Sequence, residues 1–258
     1  MDAKTSNSVA QLIKNIDSFR VEPDFTNEIN KRKNRKIPER LSDNEMLKIL
    51  SELIFFSQNA NSKLVEQLLE KKIFNKIFFC YDVHKVATMN PCELVEEFWD
   101  DIKPIRQQSK LFHVVMLARK IIQIGSLSKI LIESGIPQEI KNNDDIDRFW
   151  KKFKELREIL DRNKVPFFRS TTSLLHFLLE IGYDCVKPDL VVMKVAKEIG
   201  IVDSEKGEKN FIKAVRSIQE YSLEYDIKPS VVDFYFLIHG RQKAAEKYVR
   251  KDFQVVQW

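Results

Sequence analysis

Apolar side chains recur every three to four residues along most of the chain, which is the period of an amphipathic helix. Beyond a first stripe from Val9 to Phe19, similar stripes predict helices at residues 62–71, 73–81, 91–101, 104–124, 207–226 and 228–249. No alternating segment is longer than a few residues, and the chain has only 6 glycines. Strands and their turns are therefore not indicated. We predict an all-α fold.

One stretch, from Val165 to Gly200, combines a turn, a helix, a short loop and a second helix. Pro166 ends the helix before it, because the proline ring removes a backbone donor. The next helix ends at Gly182, where a left-handed cap is expected. Asp189 then precedes an apolar stripe, at the position where aspartate is a preferred helix cap. An N-cap is therefore one interpretation of Asp189.

The same stretch resembles the helix-hairpin-helix motif and following loop of the HhH-GPD superfamily of DNA glycosylases. That family has a hairpin of the form L-P-G-V-G-x-K-T-A and, one helix later, a V-D-T-H-like loop whose aspartate is catalytic. With Pro166 on the family proline, Thr172 falls on the family threonine and Asp189 on the catalytic aspartate without a gap. The resemblance implies that Asp189 is the catalytic residue.

Three further segments resemble the family in the same order along residues 40–241. The segment 45–59 (EMLKILSELIFFSQN) is similar to an early helix that ends in S-Q-Q or S-A-Q, and segments 90–121 and 229–241 are similar to later helices. The first match places Gln58 at or beside the side chain that fills the gap left by an extruded base. Without the resemblance, Gln58 is interpreted as a solvated or capping residue at a helix end.

The chain also departs from the family pattern. Phe167-Phe168-Arg169 replaces the Gly-Val-Gly of the hairpin, which changes how closely a phosphate approaches the backbone. Thr171 stands where bifunctional members carry the Schiff-base lysine, so the resemblance implies a monofunctional enzyme. The only cysteines are Cys80, Cys92 and Cys185, so the four that hold an iron–sulfur cluster in some members are missing. We expect no cofactor and no metal.

Candidate DNA-binding residues follow from the same alignment. Arg169, Ser170 and Thr171 lie where the family hairpin binds phosphate, and Lys187 lies two residues before Asp189. Lys187 is either a contact to a flanking phosphate or an ordinary loop lysine. His176 lies among apolar residues and is interpreted as a core histidine rather than a ligand.

Charge and composition agree with a polyanionic partner without requiring one. The net charge is +5, and the basic run at residues 30–40 (NKRKNRKIPER) is either a solvated loop or a phosphate-contacting one. No apolar run approaches the ~20 residues that cross a bilayer. We expect a cytoplasmic monomer without a membrane partner.

Together these features predict a two-lobed fold with a central cleft. One lobe would combine residues 1–60 with 185–258, and residues 61–184 would form a helical bundle that ends in the hairpin. The resemblance implies a monofunctional DNA glycosylase acting on double-stranded DNA, in base excision repair of an alkylated or oxidised purine or in defence against bacteriophage DNA with modified bases. The alternatives are a non-catalytic DNA-binding protein on the same fold and a helical protein–protein scaffold.

Overall fold

A computed structural model describes residues 1–35, 41–57, 60–241, 243 and 245–256 of the chain. The α-helices in these residues are α1 (Ala3–Phe19), α2 (Asp24–Lys33), α3 (Asp43–Phe56), α4 (Ser62–Glu70), α5 (Ile73–Ile77), α6 (Val83–Thr88), α7 (Pro91–Ile102), α8 (Ser109–Gln123), α9 (Leu127–Glu133), α10 (Asn143–Arg162), α11 (Thr171–Glu180), α12 (Leu190–Glu198), α13 (Glu208–Glu224) and α14 (Pro229–His239).

The described residues contain no β-strand, so the predicted all-α class is confirmed. Polar side chains at the N-cap positions begin several of the helices. At α3, the hydroxyl of Ser42 accepts from the backbone N–H of Glu45, whose carboxylate accepts from the backbone N–H of Ser42. This reciprocal capping box satisfies two donors that a helix start leaves unpaired. None of the described helices combines the length and apolar character that crossing a membrane requires.

Contacts divide the chain into two compact units. The first unit contains residues 1–37, 137–150 and 171–258, and the second contains residues 38–136 and 151–170. These boundaries differ from the predicted lobes, because the structure assigns residues 38–60 to the second unit and residues 137–150 and 171–184 to the first. Helix α11 therefore belongs to the same unit as Asp189.

The first unit is built around α14, which packs against α1, α2, α12 and α13. Every residue of α14 except Leu237 is buried. A helix that is apolar on all sides is typical of such a central position. Two ionisable side chains, Asp233 and His239, are nevertheless buried on it.

The second unit is organised by α8, which packs against α3, α6 and α7. Its core includes stacked aromatic rings: Phe55 lies 4.1 Å from Phe74 and 6.0 Å from Phe78 between ring centroids. Lys110 is also buried in this unit, and its ammonium donates to the carbonyl oxygens of Phe55 and Ser57 at the end of α3. The lysine thereby satisfies carbonyls that a helix end leaves unpaired.

Two predicted helices end earlier than the apolar pattern indicates. The helix predicted at 73–81 ends at Ile77, because residues 79–81 adopt left-handed backbone angles. The helix predicted at 228–249 ends at His239. Gly240 follows it at a close approach to α12, where a Cβ atom would lie 2.4 Å from Val191 Cγ1.

Candidate active site

Asp189 is the N-cap of α12, as one of its two interpretations predicted. Its Oδ1 accepts hydrogen bonds from the backbone N–H groups of Val191 at 3.0 Å and Val192 at 3.1 Å. Among the described residues, Oδ2 accepts no hydrogen bond and has one ion-pair partner, Lys187 Nζ at 3.7 Å. The cap therefore fixes the carboxylate while it uses only one of the two oxygens.

The loop that carries Asp189 is held by short-range bonds. Asp189 N–H donates to the carbonyl of Lys187 at 2.8 Å, across the rigid Pro188. The hydroxyl of Thr172, at the start of α11, lies 3.4 Å from the carbonyl oxygen of Pro188. Thr172 is the residue that the family alignment placed on the conserved threonine, so the structure brings this aligned position to the Asp189 loop.

Asp189 and Lys187 line one cavity of about 130 Å³ in the first unit. Its other lining residues are Arg32, Arg35, His176, Leu179, Glu180, Asp233 and Leu237. This volume is below the ~300–1,000 Å³ of pockets that enclose drug-sized ligands. The cavity has room for water or a small polar group beside the carboxylate.

A second carboxyl group, Asp233 on α14, lines the same cavity. It is 4% exposed, and its Oδ2 lies 3.1 Å from Arg32 NH1. The pKa of Asp233 is raised to about 6, mainly by burial and also by the negative charge of Asp189, while Arg32 acts in the opposite direction. Two carboxyl groups with different environments therefore meet here, one half-exposed and one buried.

His176 on α11 also lines the cavity, so it is not simply a core residue. Burial, together with the positive charges of Lys187 and Arg35, lowers the pKa of His176 to about 3. The imidazole is therefore neutral near pH 7, and its approach to Glu180, at 3.9 Å from Nε2 to Oε1, is not an ion pair. No ligand role for His176 is indicated.

The other predicted DNA-binding residues are placed differently. Arg169 and Ser170 are exposed and belong to the second unit, whereas Thr171 is buried in the first unit and its hydroxyl donates to Glu208 at 2.7 Å. Gln58 lies outside the described residues. In the hairpin, Phe167 has a φ of 78°, the left-handed region that favours glycine, at the position where the family has its first glycine.

The sequence did not reveal three of the cavity's charged residues. Arg32 and Arg35 lie in the basic run at 30–40, where the structure continues α2 to Lys33 and directs Arg32 into the unit. Asp233 is the one acidic residue in the apolar segment PSVVDFYFLIH. The sequence signal for Asp233 is an isolated acidic residue on an apolar helix. Because a buried carboxylate needs a partner, such a residue indicates a buried polar contact.

Comparison of the chain with known protein families, with curated proteins and with solved structures finds no match. The HhH-GPD resemblance therefore rests on the motifs quoted above and on their order. In the part of the chain that the structure describes, no cluster of three or more His, Cys, Asp or Glu side chains is arranged to hold a metal ion.

Proposed function

We propose that the protein is a monofunctional DNA glycosylase on a two-lobed HhH-GPD-like fold, with Asp189 as its catalytic carboxylate. The observation that carries the proposal is the geometry of Asp189. Its Oδ1 is fixed by two backbone donors, while Oδ2 remains available beside a small polar cavity. The cap thus fixes the orientation of the carboxylate and leaves its second oxygen for the reaction.

The reaction explains why such a carboxylate is needed. An enzyme that excises a base first extrudes the nucleotide, which costs a few kcal/mol in stacking and pairing. Cleavage of the N-glycosidic bond then develops positive charge on the sugar. A preorganised charged group aimed at such a centre contributes ~3–4 kcal/mol. In this proposal, Asp189 stabilises the sugar cation and orients the attacking water, for which the cavity has room.

The surrounding charges support a DNA substrate. Lys187 lies beside Asp189 on the cavity, so a cation is available for a phosphate that flanks an extruded nucleotide. Arg35 adds positive charge to the same cavity, although its guanidinium also pairs with Glu180 at 3.5 Å. Thr171 carries no amine, which supports hydrolysis without a Schiff base. The proposed product is an abasic site in DNA, formed from a damaged base or from a modified base of foreign DNA.

The experiment compares wild type with Asp189→Asn on a panel of duplexes that contain alkylated, oxidised or bulky phage-type bases. Asparagine caps helices about as well as aspartate does, so the substitution removes the charge and keeps the cap. We expect loss of base release by about 10²–10³-fold with DNA binding retained. Borohydride should trap no covalent adduct with wild type.

Asp82→Asn is the matched control, since Asp82 caps α6 through the backbone N–H of Lys85 in the second unit. This variant should release base as wild type does. If wild type binds DNA and releases no base from any duplex, the non-catalytic DNA-binding alternative takes its place, and the cap is then the whole role of Asp189. If DNA is not bound, the protein–protein scaffold remains.

A further inference from the structure

The second unit contains a left-handed turn without glycine. Phe79, Cys80 and Tyr81 follow each other with φ values of 48°, 53° and 62°. Side chains with a Cβ atom visit this region as single residues and seldom in succession. Two backbone bonds close the turn, from Tyr81 N–H to the Phe78 carbonyl at 2.7 Å and from Asp82 N–H to the Phe79 carbonyl at 3.2 Å.

Aromatic packing below the turn holds it in this conformation. Phe78 and Tyr81 are buried, and their rings stack at 5.9 Å between centroids and at 23° between planes. Phe78 in turn stacks on Phe55 of α3. Because both flanking rings are directed inward, the ring of Phe79 between them is directed outward and is 53% exposed.

The chain around Phe79 is positively charged. The segment 71–85 has one acidic residue and four exposed lysines, which are Lys71, Lys72, Lys76 and Lys85. Lys85 Nζ lies 5.9 Å from the centroid of the Phe79 ring. Asp82, the acidic residue, uses its Oδ1 to cap α6. In the described part of the chain none of the four lysines has an ion-pair partner within 4 Å. We call Phe79 and these lysines the Phe79 surface.

We propose that the Phe79 surface binds nucleic acid by stacking Phe79 on an unpaired base while the lysines contact the flanking phosphates. Every base has a flat π face that stacks on an aromatic ring, and exposed rings within basic surfaces are the usual platforms for unpaired strands. The lysines supply the sequence-independent attraction to phosphate. A protein partner would cover the ring as well, but the excess of positive charge in segment 71–85, with four lysines and one aspartate, favours a polyanion.

This binding site goes beyond the glycosylase proposal and does not depend on it. Neither Asp189 nor any residue of its cavity belongs to the surface, and the test requires no base release. A chain that binds through Phe79 and releases no base would contradict the proposed function alone. A chain that releases base but binds the single strand equally well without the Phe79 ring would contradict this inference alone.

The test measures the affinity of the full chain for two fluorescein-labelled probes, a single strand and a fully paired duplex of the same sequence, by fluorescence anisotropy. Phe79→Ala should weaken binding to the single strand about tenfold and leave duplex binding nearly unchanged, because only the single strand offers unstacked bases. Phe79→Trp should retain the affinity, since tryptophan stacks as well as phenylalanine. This second variant also shows that the turn still folds.

Replacing the four lysines by glutamine should weaken binding to both probes and flatten the dependence of affinity on salt. The matched control is Ile132→Ala on α9, a 65% exposed apolar residue of the same unit, which should change neither affinity. The inference is overturned if Phe79→Ala binds the single strand as the Ile132→Ala control does. An equal loss on both probes would also exclude stacking on an unpaired base.

Discussion

Arg32 on α2 and Asp233 on α14 form a buried ion pair, with 3.1 Å between NH1 and Oδ2. The same guanidinium donates through Nε to Glu28 at 2.7 Å and through NH1 to the carbonyl oxygen of Ser230 at 3.0 Å. Its plane also lies over the ring of Phe234, at 4.9 Å from the centroid. Arg32 thus joins α2 to the central helix of the first unit and neutralises a carboxylate beside Asp189.

Loss of Arg32 should destabilise the protein in a pH-dependent way. At pH 8 Arg32→Met leaves the Asp233 carboxylate buried without a cation, and removing one partner of such a pair costs ~3–5 kcal/mol. The pKa of Asp233 is already raised to about 6 by burial, and it rises further without Arg32. The stability of the variant is therefore lost as pH rises, and the difference from wild type should be smaller at pH 5. Urea unfolding of wild type and variant at pH 5 and pH 8 measures this difference in the free energy of unfolding.

Two further variants distinguish the charge effect on Asp233 from the loss of packing around Arg32. Arg32→Lys keeps a positive charge near Asp233. Its loss of stability relative to wild type should therefore be smaller than that of Arg32→Met and nearly the same at pH 5 and pH 8. Adding Asp233→Asn to Arg32→Met removes the titrating group, and the pH dependence should disappear. An Arg32→Met deficit that is equal at both pH values would show that the charge on Asp233 is not its cause.

The neutral His176 should make the protein sensitive to acid. Its pKa is lowered to about 3 in the folded chain, against ~6.5 for an unperturbed histidine. Between these values the unfolded chain binds more protons, so stability falls as pH falls from 6.5 towards 3. Between pH 7 and pH 5, the free energy of unfolding of His176→Gln should therefore fall by about 2 kcal/mol less than that of wild type.

Urea unfolding of wild type and variant at a series of pH values measures that difference. His84→Gln is the matched control, because His84 is exposed on α6 in the second unit. It should follow the wild-type curve. Parallel curves for wild type and His176→Gln would mean that His176 takes up its proton equally in the folded and unfolded chains.

The local features of the fold were predictable from sequence, and the long-range ones were not. The helical period and the capping interpretation of Asp189 each depend on residues within a few positions of one another, and both are confirmed. The pairing of Arg32 with Asp233 joins residues 201 positions apart. No local pattern contains that pairing, so Arg32 and Asp233 were missed, whereas Asp189 and Lys187 of the same cavity were found.

Both helices that end earlier than predicted stop at left-handed backbone. The apolar stripe continues beyond Ile77, but buried Phe78 and Tyr81 hold the left-handed turn between them. The stripe also continues beyond His239, but Arg241 has a φ of 54°. In each case the residues retain helical spacing, and that spacing does not contain the backbone angles that end the helix. The catalytic role of Asp189 stays a prediction, because a cap and a catalytic carboxylate require the same residue at the same place.

Lys110 should stabilise the second unit through the end of α3. Its ammonium donates to the carbonyls of Phe55 at 3.1 Å and Ser57 at 2.5 Å. Lys110→Met keeps much of the side-chain volume and leaves these carbonyls without their donor, which should cost ~1–3 kcal/mol in the free energy of unfolding. Lys129→Met, on a side chain that is 73% exposed, should cost little.

The pH dependence gives a second measure of Lys110. Burial lowers its pKa to about 8, so between pH 8 and ~10.4 the unfolded chain binds more protons than the folded one. Wild type should therefore gain stability relative to Lys110→Met as pH rises through this range. A constant difference would mean that the lysine has the same pKa in both states.

Gly240 should be intolerant of a side chain because of where α12 passes. A Cβ atom there would lie 2.4 Å from Val191 Cγ1 and 3.3 Å from Val195 Cγ2, although the backbone angle of Gly240 is one that any residue adopts. Gly240→Ala should therefore destabilise the protein by ~1–3 kcal/mol through overpacking. Val191→Ala removes the closest methyl group, so in the double variant the alanine at 240 should cost clearly less. Urea unfolding of wild type, the two single variants and the double variant forms a double-mutant cycle. If the two losses in the free energy of unfolding simply add, the contact with Val191 is not what excludes a side chain at position 240.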